Sequence, residues 1–120
     1  MADRVLHISW GAPIPGREEH GLEVFNEAMG LYGRLQQEGR IESFDVALFA
    51  ANSELNGYIE LHGSHEQLDA AQQDEEFRRI TIDASLSVSE LRIAEAVTNE
   101  GVAQEMARYQ EAISKVPQSA

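Results

Sequence analysis

At 120 residues the chain is long enough for one modest core, and 42% hydrophobic with 25% charged residues is ordinary for a protein folded in water. It is acidic: 21 Asp and Glu stand against 9 Lys and Arg, a formal net charge of -12, with 10 acids before residue 61 and 11 after it. So even a negative field repels phosphate backbones and anionic lipid heads, which excludes nucleic acid and membrane surfaces as expected partners, and the absence of cysteine excludes disulfides, thiol catalysis and thiolate-bound metal.

Residues 4–11 alternate, with Leu6, Ile8 and Trp10 on one side and Val5, His7 and Ser9 on the other, which predicts a strand with one strongly apolar face. Gly11, Pro13, Pro15 and Gly16 then break it into a loop. From Arg17 to about Glu38 the period changes: Leu22, Phe25, Met29, Tyr32 and Leu35 fall on one side of a helix, widened by Val24, Ala28 and Leu31. Glu18 and Glu19 suit its first turn and Gly39 its end. Gly30 and Gly33 each cost the helix about 1 kcal/mol relative to alanine, for which close packing or room for a ligand are the two explanations.

A hairpin follows over residues 41–63. Phe44, Val46 and Leu48 share a face of its first strand; Leu55, Ile59 and Leu61 share a face of its second, with Tyr58, Glu60 and His62 opposite, and Asn52-Ser-Glu supplies the turn. Ser64 with Gln67 forms a capping box for a second helix whose inner face begins at Leu68 and Ala71. Asp74 caps a further short turn carrying Phe77 and Ile80. Residues 85–98 read as a loop entering a last strand, where Leu91, Ile93 and Val97 alternate with Arg92, Ala94 and Ala96. Asn99 caps a terminal helix to about residue 116, with Val102, Met106, Tyr109, Ile113 and Val116 in one narrow seam suited to a single partner surface.

The order β-α-β-β-α-β predicts an α+β ferredoxin-like sandwich. Right-handed crossovers place both helices on one face of a four-stranded antiparallel sheet of order 4-1-3-2. The other face, carrying Val5, Phe49 and Tyr58, needs cover from the terminal helix or from a second sheet. No linker interrupts the chain, so one domain is expected over residues 1–120, with its core at 4–98 and a helical extension at 99–116. No apolar run reaches the roughly 18 residues of a membrane span, and no basic stretch followed by an apolar core opens the sequence, so a cytoplasmic location is expected.

On that strand order, that length and the stretch Leu61-His-Gly-Ser-His-Glu-Gln-Leu-Asp-Ala-Ala-Gln-Gln-Asp-Glu-Glu-Phe-Arg-Arg-Ile80, the sequence resembles the dimeric α/β-barrel superfamily. This includes antibiotic-biosynthesis-type monooxygenases, EthD-like and NIPSNAP-like domains and stress-responsive A/B-barrel proteins. The resemblance implies a homodimer whose two sheets face each other, with a cavity between sheet and helices in each subunit. No subfamily's catalytic motif is matched, so the resemblance carries over no functional residue.

Two imidazoles lead the candidate chemistry. Pairing His7 opposite His62 also sets Ser9 opposite Glu60 and Trp10 opposite Ile59, keeping polar with polar and apolar with apolar. His7, His62, Ser9, Glu60 and Tyr58 then share a face, with Arg92 within reach from the last strand. Such a group suits a divalent metal or acid–base work at neutral pH; a polar, hydrated sheet surface or a hydrogen-bonded dimer contact is the plainer account and the one favoured. No metal and no cofactor is assigned. His20 and His65 stand at helix starts, where a fixed positive charge opposes the dipole, and read as solvated rather than ion-paired. Glu75, Glu76, Arg78 and Arg79 read as a solvated helix face. No Gly-rich phosphate loop, Gly-x-Ser-x-Gly or His-Glu-x-x-His occurs, which argues against nucleotide hydrolysis, serine hydrolysis and zinc proteolysis.

Two functions remain. In the first, a homodimer binds a small apolar or aromatic molecule in a cleft beneath Trp10 and Tyr32, with Ser9, Glu60 and Arg92 as further contacts; an enzymatic form would resemble the superfamily's cofactor-independent monooxygenases, with His7, His62 and Tyr58 handling protons. In the second, the protein is a non-enzymatic assembly or interaction module that docks through its C-terminal helix.

Overall fold

A computed structural model describes residues 2–52, 55–117 and 119. In chain order it runs β1 (Arg4–Trp10), α1 (Glu18–Gln37), β2 (Ser43–Leu48), β3 (Gly57–Gly63), α2 (His65–Gln73), α3 (Glu75–Ser85), β4 (Arg92–Val97) and α4 (Glu100–Ser114). The strands form one sheet of order β2-β3-β1-β4 with every neighbouring pair antiparallel, the ferredoxin-like α+β arrangement that the element order predicts. Leu6, Ile8, Trp10, Ile59 and Leu61 form the apolar face of its two central strands and pack on Val24, Ala28, Leu31 and Leu35 of α1, Leu68 and Ala71 of α2, and Phe77 and Ile80 of α3. Each fully buried leucine in this layer contributes about 1.5–3 kcal/mol relative to exposure. Among the described residues no helix is long and apolar enough to cross a membrane.

The helix ends follow from local chemistry. Gly39, at φ 72°, lets the chain turn back: its N–H donates to the Gln36 carbonyl at 3.1 Å and the Arg40 N–H to the Leu35 carbonyl at 2.8 Å, a Schellman closure. The capping box forms as expected, Ser64 Oγ accepting from the Gln67 N–H and Gln67 Oε1 from the Ser64 N–H. Asp74 separates α2 from α3. Its carboxylate accepts from the Glu76 and Phe77 N–H groups and from Arg40 at 2.8 Å. Asn52 braces the end of the hairpin, donating to the Ala50 and Leu55 carbonyls and accepting from the Leu55 N–H; the expected turn residues Ser53 and Glu54 lie outside the described residues, as do Gln118 and Ala120 of the tail.

Several expectations need correcting. Strands β1 and β3 pair two residues away from the expected register: His7 faces Glu60, Ser9 faces Tyr58, Trp10 faces Gly57, and His62 faces Val5. A shift of two preserves which side chains share a face. Gly57 explains the choice, since a Cβ there would lie 2.6 Å from the Ala47 carbonyl oxygen and 3.0 Å from the Trp10 ring. The buried stripe of α1 centres on Val24, Ala28, Leu31, Tyr32 and Leu35, leaving Leu22 exposed. Neither Gly30 nor Gly33 is closely packed: a Cβ at Gly30 would have only Arg34 nearby, and one at Gly33 would meet nothing within 4 Å. Strand β2 lies at the sheet edge, so Val46 and Leu48 stay exposed; Leu55 precedes β3 and is exposed too.

The short turn expected after Asp74 is an 11-residue helix, and its charge run ties it to α1 through Arg34–Glu76 and Arg79–Glu27. Asn99 caps α4 with no side-chain bond; its amide donates to the Ala2 carbonyl at 3.3 Å. Helix α4 meets the sheet through its first turn, where Gly101 lies against Asp3, Arg4 and Val97. Beyond Gly101 every described residue of α4 except Glu105 is exposed, including the whole apolar seam.

Candidate functional site

The expected site residues divide between the two faces of the sheet. Strand alternation sends Trp10 inward and His7 and Ser9 outward, so Trp10 and Tyr32 belong to the helix side while His7, Ser9, Tyr58, Glu60, His62 and Arg92 belong to the other. The cleft and the proton-handling groups expected to serve it are therefore on opposite sides of one sheet.

On the helix side, α1 and α3 span the sheet but do not close over it completely. A cavity of about 70 Å³ remains, lined chiefly by Ile8, Trp10, Phe25, Ala28, Tyr32 and Ile80. One water needs only about 10–15 Å³. A second hollow of about 180 Å³ adjoins it, and Trp10, Gly21, Phe25 and Val88 line both. Trp10 and Phe25 stand between the two, ring centroids 6.0 Å apart and tilted by 58°. The loop after α3 is held beside the cavity by backbone bonds to the loop after β1, Gly11 N–H to Ser89 at 2.8 Å and Ile14 N–H to Ser87 at 2.9 Å.

Polar groups in this cavity are few. Thr81 Oγ1 donates to the Phe77 carbonyl and Ser87 Oγ to the Asp83 carbonyl, so both hydroxyl protons are committed within α3 and its end. Tyr32 is only 4% exposed and Trp10 8%; neither the phenol nor the indole N–H has a protein hydrogen-bond partner among the described residues, but no buried side-chain polar atom there is left unsatisfied, so each polar tip touches solvent. Burial pushes the Tyr32 phenol well above its ordinary range, so it stays protonated and is a donor. Among the described residues no charged side chain lines the cavity; Glu18 lines the adjoining hollow and accepts from the Gly16 N–H. Thr81, Ala84, Ser87 and Val88 were not expected in the site. The spacing Phe77, Ile80, Ala84 carries the helical signal that would have put them there.

The outer face is polar. His7 Nδ1 and Glu60 Oε2 share a hydrogen bond of 2.9 Å, and the His7 ring stacks on Tyr58 at 5.4 Å. His62 Nε2 bonds Asp45 Oδ2 at 2.7 Å, and Asp45 stands opposite Glu60 across the β2–β3 ladder. Thus His7 and His62 each take a different carboxylate rather than each other. Arg92 faces Ser9 but donates to Glu90 at 2.9 Å. His65 is ion-paired, contrary to expectation: it bonds Glu95 at 2.8 Å, and that hydrogen bond raises its pKa despite the helix start it occupies.

No family model and no curated protein matches the sequence. Solved structures do match. Hydroxynitrile lyase from Passiflora edulis superposes with a TM-score of 0.62 at 10% identity, over 83% of this chain and 97% of that one. A dimeric protein of unknown function and ferredoxin-like fold from Bacteroides fragilis gives 0.58 at 13% identity, over 78% and 95%. A cofactor-independent oxygenase from Streptomyces nogalater gives 0.55 at 14%, over 82% and 96%. At these identities the likeness is one of fold, and it bears out the ferredoxin-like architecture to which the sequence pattern pointed.

Proposed function

We propose that the chain forms a homodimer and binds a small, uncharged apolar or aromatic molecule in the cavity between α1, α3 and the sheet. The observation that carries this reading is the otherwise apolar cavity walled by Tyr32 and Trp10, whose donors have no protein partner among the described residues. A ligand with one acceptor atom can take such a donor in place of solvent while its apolar body fills the space. Absence of a lining charge favours a neutral ligand, since a bound ion would lose its hydration without compensation. The dimer rests on the dimeric Bacteroides fragilis fold relative and on the apolar seam of α4. An oxygenase-like activity, as in the Streptomyces nogalater relative, is the enzymatic form of this reading.

Trp10 is the single tryptophan, so its fluorescence reports the cavity and the hollow that adjoins it. Titration with acetophenone and with benzoate, alike in size but not in charge, separates the readings. A saturable change with the ketone and none with the carboxylate is expected. No saturable change with either, or tighter binding of benzoate, overturns the proposal.

The second reading, an interaction module, is favoured by one observation. Val102, Met106, Tyr109, Ile113 and Val116 are each between 45% and 61% exposed. A helix of 15 residues is marginal alone in water, and this one has little of its own chain to lean on. Docking of the seam on a partner surface supplies the missing contacts.

A further inference from the structure

The outer face holds a group of side chains that the cavity does not use. Asp45 and Glu60 stand directly opposite each other on β2 and β3. Like charges in that position repel, and nothing in strand geometry requires them there. His62 lies on the same face two positions from Glu60, and one donor atom from each of Asp45, Glu60 and His62 falls within 4.8 Å of the other two. On the far side of Glu60, His7 holds its Oε2 at 2.9 Å from β1. Three adjacent strands therefore converge two carboxylates and two imidazoles on one spot.

We propose that Asp45, Glu60 and His62 bind a divalent first-row transition metal such as zinc, with His7 as a positioning residue that orients Glu60. Mixed imidazole and carboxylate donors select such ions over magnesium or calcium, which prefer oxygen alone. Metal–nitrogen and metal–oxygen bonds near 2.0–2.2 Å bring neighbouring donors to about 3.3 Å. The donors must close from the observed spread, and Asp45, with its side chain 69% exposed, is free to move. The ion would take the place of the proton now shared between His62 Nε2 and Asp45 Oδ2, and would neutralise the facing carboxylates. A histidine hydrogen-bonded to a ligating carboxylate is a common outer support, and its loss typically weakens metal binding by about 10- to 100-fold. The site lies within one chain on the face opposite the cavity, so it stands or falls independently of ligand binding there.

Calorimetric titration of the full chain with zinc chloride, and separately with magnesium chloride, tests the proposal. Saturation at one zinc per chain is expected, with no magnesium binding in the same range. Asp45→Asn, Glu60→Gln and His62→Asn should each weaken zinc binding at least tenfold, and His7→Gln should weaken it with the stoichiometry unchanged. Thermal melting confirms that each variant is folded, and zinc should raise the melting temperature of the wild type more than that of the Asp45, Glu60 and His62 variants. Glu95→Gln, which alters the separate His65–Glu95 pair, should leave binding unchanged. No saturable binding by about 1 mM zinc, a weak limit for any specific site, overturns the proposal. So does a Glu95→Gln variant that loses as much as Asp45→Asn, or folded Asp45 and His62 variants that bind as the wild type does.

Discussion

Replacing Tyr32 by phenylalanine removes one oxygen and nothing else, and its consequences differ in size with and without ligand. The ring is 4% exposed and packs against Phe44 and Phe77 at centroid distances of 6.0 and 6.3 Å, contacts that phenylalanine keeps. Truncation to alanine would lose them and cost about 3–5 kcal/mol. The hydroxyl has no protein partner among the described residues and its oxygen touches solvent, so deleting it should change stability by about 0.5 kcal/mol or less. For a chain of this length that moves the melting temperature by about 2 °C or less. Ligand binding should respond more: losing one hydrogen bond worth about 0.5–1.5 kcal/mol weakens affinity about two- to twelvefold. Thermal unfolding followed by circular dichroism gives the first quantity, and Trp10 fluorescence titration with acetophenone the second. A melting temperature that falls by several degrees would refute the reasoning, because the hydroxyl must then already have been paired. An unchanged affinity would show that the phenol does not touch the ligand.

Other predictions follow from the same structure. Gly33→Ala should stabilise by about 0.5–1 kcal/mol in chemical denaturation, since a Cβ there meets nothing within 4 Å and alanine is the better helix former; a destabilised variant would mean that something does pack there. Asp74→Ala removes the acceptor for two backbone N–H groups and for Arg40 and should cost about 1–2 kcal/mol. The Arg40 hydrogen bond, then the Phe77 N–H, holds the Asp74 carboxyl below its usual range, so the unfolded chain binds the proton first as pH falls. The stabilisation is complete above the unfolded value near 3.9 and is lost as pH drops through the lower folded one, so the gap between wild type and Asp74→Ala should narrow in acid melts below about pH 4. Met106→Glu or Tyr109→Glu places a charge in the exposed seam and should shift sedimentation toward the monomer, with Trp10 titration unchanged; an unaltered assembly would remove α4 from the interface.

The central strands were the most legible part of the fold because burial there is one-sided. Leu6, Ile8 and Trp10 on β1, like Ile59 and Leu61 on β3, have to alternate with polar neighbours, and that parity alone puts His7 and His62 on the outer face. Parity does not fix translation. Matching polar with polar is satisfied equally by a shift of two residues, and the true register turns on Gly57, whose missing side chain makes room for the Trp10 ring. The outermost elements were less legible for the same reason of cover. Strand β2 has the apolar alternation of a buried strand, yet its edge position leaves Val46 and Leu48 in water. On α1, Leu22 fits the helical period but lies beyond the packed sheet, while Val24 carries the contact. Much of the cavity wall escaped the sequence reading because α3 was taken as a turn, and Thr81, Ala84 and Ser87 went with it.

The sheet itself constrains any chemistry. The imidazoles of His7 and His62 face away from the cavity, and a pleated strand cannot turn a side chain from one face to the other without breaking its ladder. Within the cavity the Thr81 and Ser87 protons are already given to backbone carbonyls, and the raised Tyr32 phenol does not ionise near neutral pH. A proton leaving a bound molecule must therefore pass to a group at the mouth, where Glu18 lines the outer hollow, or to water entering past Trp10 and Phe25. On the reading proposed above a neutral molecule sits in the cavity, and the charged groups of the outer face lie apart from it on the other side of the same sheet. Binding in the cavity and metal binding outside it should accordingly be additive: saturating one should leave the affinity of the other unchanged.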